Sequence, residues 1–145
     1  ALPEPQLRAP VPSLALFATD TSGGLFDALE NFRRVNNGMW LELDAERAVS
    51  PEVARSLPPG VEKGWALVGG VGEYELLFAV PAGMPVADAE KIGRGGFAAE
   101  DACDFRIMYG GKGGRMVSPP PDYRAIPREN WLTETASYWT SMGLV

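Results

Sequence analysis

The sequence predicts an α+β fold: a single domain over residues 13–145 with a mainly antiparallel sheet of about five strands, two longer helices and proline-rich extended ends. Three observations predict it. Apolar residues make up 46 % of a 145-residue chain, enough material for one core of ordinary size. The spacing of those residues switches repeatedly between the period of a strand and that of a helix. Prolines gather at residues 1–12 and 119–127, where neither a helix interior nor a central strand can form. A small α/β sandwich with partly parallel strands is the alternative, because strand and helix alternate at the start.

The opening ALPEPQLRAPVP carries Pro3, Pro5, Pro10 and Pro12 and reads as an extended arm. LALFAT, residues 14–19, reads as a strand with Leu14 and Leu16 on one face and Phe17 on the other. Leu25, Phe26, Leu29, Phe32 and Val35 then recur at helical spacing, with Thr21 or Ser22 as cap and Asn37–Gly38 as a left-handed stop. MWLELD, residues 39–44, alternates again, placing Trp40 and Glu42 opposite Leu41 and Leu43. Ser50 as cap and Pro51 in the first turn predict a short helix that Pro58 stops.

WALVGG and EYELLFAVP read as two β segments joined by a hairpin around Gly69, Gly70 and Gly72. VADAEKI, after Pro85, favours another short helix, and CDFRIMY, residues 103–109, a last long strand. Residues 110–127 read as loop. A C-terminal helix is expected to begin near Pro127 and end at Gly143, with Leu144 folding back onto it.

Composition excludes several chemistries. The chain has no histidine, so no His-based triad, zinc–histidine site or imidazole switch is available to it. Cys103 is the single cysteine, which rules out an intrachain disulfide and reads as a small buried apolar residue. That suits a reducing compartment without requiring one. A net charge of −6 makes nucleic acid a poor partner and favours basic protein surfaces. No run approaches the ~18 apolar residues of a membrane span. Ala1 in first place fits either removal of an initiator Met or cleavage of a targeting segment.

The motifs reduce to few candidates. Lys112 among four glycines in GGKGG lacks the Walker spacing and its following hydroxyl, so it reads as a loop. Pro120, Pro121, Asp122 and Tyr123 spell PPxY, a pattern that fits aromatic grooves of WW-type domains but here reads as a stiff segment packed along the protein or a neighbour. FATDTSGG, residues 17–24, resembles the DxDx[T/S] nucleophile loop of haloacid-dehalogenase phosphatases, but Ala18 stands where the nucleophilic Asp belongs. Asp20 and Ser22 therefore read as turn and cap residues. The acidic groups Glu42/Asp44, Glu73/Glu75 and Glu100/Asp101/Asp104 read as solvated faces, and the last lacks EF-hand spacing.

On the C-terminal helix Trp131, Leu132, Thr135, Tyr138, Trp139 and Met142 spread over more than half the circumference, more than one core contact requires. The expectation that follows is a non-enzymatic accessory subunit or adaptor on a larger protein assembly. It would dock through Pro3, Pro5, Pro10, Pro12, Pro120, Pro121, Tyr123, Trp131, Tyr138 and Trp139, without metal or cofactor. The alternative is a small-molecule binder or carboxylate-based enzyme using Asp20, Glu73 and Glu75, with Lys112 beside them.

Overall fold

The computed structural model describes residues 13–36, 39–68, 75–97, 105–116 and 118–144. Within them the chain is α+β, with four helices and two sheets, of two and four strands. Strand β1 (Phe17–Asp20) leads into helix α1 (Leu25–Val35), then β2 (Met39–Asp44) and the short helices α2 (Ala45–Ala48) and α3 (Pro51–Ser56). A 3₁₀ turn at Lys63–Leu67 precedes β3 (Leu76–Ala79), β4 (Gly93–Phe97), β5 (Phe105–Tyr109) and β6 (Lys112–Arg115). A second 3₁₀ turn, Arg128–Asn130, opens the last helix α4 (Trp131–Ser141).

β1 and β3 pair antiparallel as a separate ribbon. The larger sheet runs β4-β2-β5-β6, antiparallel except for the central pair β2–β5, which is parallel. One parallel pair in an otherwise antiparallel arrangement leaves the domain α+β, as expected, with its described strands in two sheets where one was expected.

Burial follows the sequence period in β2, whose Met39, Leu41 and Leu43 are buried while Trp40 and Glu42 are half-buried on the other face. Helix α1 lays Leu25, Phe26, Ala28, Leu29 and Phe32 on the same core. α4 closes it: Trp139 makes edge-on contact with Phe26 and Tyr109, at ring centroid distances of 6.5 and 5.4 Å. Gly143 takes φ +77 and turns Leu144 back into the core, as a helix-terminal glycine permits.

Several expectations are corrected. Gly24 caps α1 with no side-chain bond, because the Thr21 hydroxyl is occupied elsewhere, accepting the Glu75 backbone N–H at 3.0 Å. Trp65, Ala66 and Leu67, expected to open a strand, lie instead in the 3₁₀ turn Lys63–Leu67, in which Trp65 and Val68 N–H donate to the carbonyls of Glu62 and Trp65. Among the described residues β3 pairs with β1 and with no other strand; the glycines of the expected hairpin lie outside the described residues. VADAEKI forms no helix. Asp88 sits at φ 55, and the Asp44 N–H donates to the Ile92 carbonyl, so the segment is drawn into pairing with β2.

β4 and β6 arise where no strand was expected. Residues 110–127 are not all loop, because Gly110 and Gly111, at φ 57 and 76, form a two-residue turn that returns the chain as β6. Positive φ at both central positions is the hairpin turn whose twist matches that of the strands. The Asn37–Gly38 stop, Cys103, Glu73, Glu100, Asp101 and Asp104 lie outside the described residues.

Candidate docking face on the C-terminal helix

The ends of the aromatic helix settle where its side chains go. Trp139 is 0 % and Tyr138 6 % exposed, so both are core residues and no partner can reach their rings. The outward aromatic of this helix is therefore neither of them. Trp131 keeps 37 % of its surface and Leu132 63 %.

The proline segment is folded against the same helix. The hydroxyls of Tyr123 and Thr135 share a hydrogen bond of 2.6 Å, and the Tyr123 ring meets Trp131 edge-on at 5.9 Å. The Trp131 indole N–H donates to the carbonyls of Tyr123 and Ile126, both at 3.1 Å. Arg128 lies over the same indole, 5.5 Å from its centroid. Pro120 and Pro121 are half-buried. A WW-type groove would have to peel Tyr123 off α4 before binding it.

Burial raises the hydroxyl pKa of Tyr138, which donates to the Ser118 carbonyl at 2.9 Å, and also those of Tyr109 and Tyr123. A phenol whose folded pKa exceeds its unfolded value of about 10 contributes stability that is complete below that pH and is lost as pH rises through the folded values. The urea midpoint should therefore hold steady to about pH 10 and fall above it. Tyr138→Phe should flatten most of that fall, at a cost of roughly 1 kcal/mol at neutral pH for the lost hydrogen bond. An unchanged alkaline slope in the variant would contradict this assignment.

Outward of the buried stripe, α4 forms one wall of an open groove of about 660 Å³. Its lining is Trp65 from the first 3₁₀ turn with Leu132, Thr133, Ala136, Ser137, Thr140 and Ser141 of the helix. None of these side chains is ionisable. Side chains this short let another backbone come close, while Leu132 and Trp65 supply apolar surface at its edges. Trp65 was read as a strand residue, and no local pattern announces its meeting with α4.

The carboxylate candidates do not assemble into a comparable site. Asp20 accepts the Ser22 N–H at 2.9 Å, and hydrogen bonding from Ser22, side chain and then backbone, holds its carboxyl below its ordinary pKa. This is the turn role expected of it. Glu75 sits at the same end of the ribbon, since Thr21 N–H donates to its carbonyl at 3.0 Å, whereas Lys112 belongs to β6 in the other sheet. Among the described residues no three of His, Cys, Asp and Glu are grouped to hold a metal, and no helix is long and apolar enough to cross a membrane. No protein-family model matches the sequence, and neither curated proteins nor solved structures give a match.

Proposed function

We propose that this chain is a non-enzymatic accessory subunit or adaptor that docks on a larger protein assembly, with the outer face of α4 as its main contact. The observation that carries this reading is the groove between Trp65 and α4, whose lining has apolar and hydroxyl groups but nothing that could serve as a general acid or base. Its shape fits an amphipathic helix of the partner laid along α4, with apolar anchors over Leu132 and Ala136. Trp131 keeps the docking role given to it with Tyr138 and Trp139, and Leu132 joins it. Pro3, Pro5, Pro10 and Pro12 lie outside the described residues and keep a docking role on sequence grounds, because a proline-stiffened arm loses less entropy when ordered.

Leu132→Lys places a charge in the groove at a position 63 % exposed, so the fold should keep its stability to within about 0.5 kcal/mol. Affinity for the assembly should drop at least tenfold, the effect of losing an interface-centre anchor. The check is co-purification from the native source followed by native mass spectrometry, wild type and variant in parallel. Equal yields of the same complex would overturn the proposal.

A further inference from the structure

The β1–β3 ribbon is apolar on both faces, although only one is covered among the described residues. Phe17 and Leu77 point inward, Phe17 meeting Phe32 of α1 edge-on at 4.9 Å. The opposite face carries Leu16, Ala18, Leu76 and Phe78, with Ala18 paired to Phe78 and Asp20 to Leu76. Leu16 is 59 % and Leu76 39 % exposed. Strands that are apolar on both sides are ordinarily buried on both, and a two-stranded ribbon is the smallest and least stable of sheets.

Among the described residues the outer edge of β3 is unpaired as well. Thr21 N–H donates to the Glu75 carbonyl, and with the register Asp20↔Leu76 and Ala18↔Phe78 the antiparallel alternation turns the N–H and C=O of Leu76 and Phe78 away from β1. No described strand pairs with that side of β3. An unpaired apolar edge is a template for another strand.

Charge distinguishes among occupants. Asp20 and Glu75 lie at one end of the ribbon, and Asp27 folds back toward the same turn, where a Cβ on Gly23 would come within 2.7 Å of its Oδ2. None of the three makes an ion pair among the described residues, which leaves their charge at this end of the ribbon uncompensated there. We propose that β3 accepts an extended segment of a partner protein, an alternating apolar strand followed by Lys or Arg. Added antiparallel to β3, the segment ends beside Leu76, which brings the residues after it to Asp20 and Glu75. Backbone bonds supply affinity, the apolar face of the ribbon receives alternate side chains, and the carboxylates set direction. This surface is independent of the α4 groove.

The test is selection of phage-displayed random dodecapeptides on the full chain, followed by fluorescence anisotropy with the best peptide made synthetically. Enriched sequences should read as β-branched or aromatic alternation with Lys or Arg on the C-terminal side. Leu76→Lys and, separately, Leu16→Lys should each weaken binding at least tenfold. Asp20→Asn with Glu75→Gln should weaken it about three- to tenfold and reduce its salt dependence. Bound peptide should slow amide exchange at Leu76 and Phe78. The proposal is overturned by no enrichment, by peptides lacking the apolar-then-basic order, or by affinity unchanged in both lysine variants. It is also overturned if the chain dimerises in sedimentation equilibrium and Leu76→Lys abolishes the dimer, since the occupant would then be a second copy.

Discussion

Trp139→Ala is expected to cost about 3–5 kcal/mol, which is the largest effect of any single truncation in this chain. The residue is fully buried and joins α4 to the rest of the core, with its ring against Phe26 of α1 and Tyr109 of β5. Removing it leaves a cavity where helix, helix and sheet meet. Against a total stability of about 5–15 kcal/mol, the variant should unfold roughly 10–20 °C lower or fail to fold at 37 °C. Differential scanning calorimetry reads this directly, and a fall of only a few degrees would mean that α4 is not held through this ring.

Gly64→Ala is the second large effect, and it is coupled to the first. A Cβ at position 64 would collide with Trp139 Cζ2 and stand 2.9 Å from its Cη2. Both atoms belong to the outer ring of the indole, which phenylalanine lacks. In the wild-type background the alanine should cost about 2–3 kcal/mol through overpacking. With Trp139→Phe already present it should be close to neutral, because alanine restricts the unfolded chain more than glycine does. A double-mutant cycle in urea should give an interaction of at least ~1 kcal/mol, and additive costs would show that Gly64 is needed for some reason other than this contact.

That pair of residues also marks how far the sequence could be read. α1, β2 and the Ser50–Pro51 start of α3 are legible because local pattern and tertiary role agree: their apolar positions recur at the period of the element they form, and the Ser50 side chain accepts the Val53 N–H. GRGGF of β4 carries no strand signal. Its glycines are required by neighbours, since a Cβ at Gly93 would lie 2.5 Å from the Glu42 carbonyl and one at Gly95 2.7 Å from that of Trp40. The turn at Gly110–Gly111 is legible, because two glycines between extended runs are a hairpin signal.

The candidate site divides the same way. Helical spacing shows that α4 has more apolar arc than one contact uses, but periodicity sets only relative angles. Which aromatic faces inward depends on the gap left by Gly64 and Gly114, where a Cβ would strike the Met142 carbonyl and approach Leu144 Cγ at 2.7 Å. Those are contacts between distant parts of the chain. Hence Trp131, Tyr138 and Trp139 looked equivalent in sequence and are not equivalent in the fold.

The outward face of α4 can be examined where it acts by hydroxyl-radical footprinting of the protein, alone and within its purified native assembly. Leu132 and Trp65 should be oxidised several-fold more slowly in the assembly, while Val53, an exposed apolar residue on α3, should be oxidised equally in both. Equal oxidation of Leu132 in the two states would mean that nothing docks on this helix.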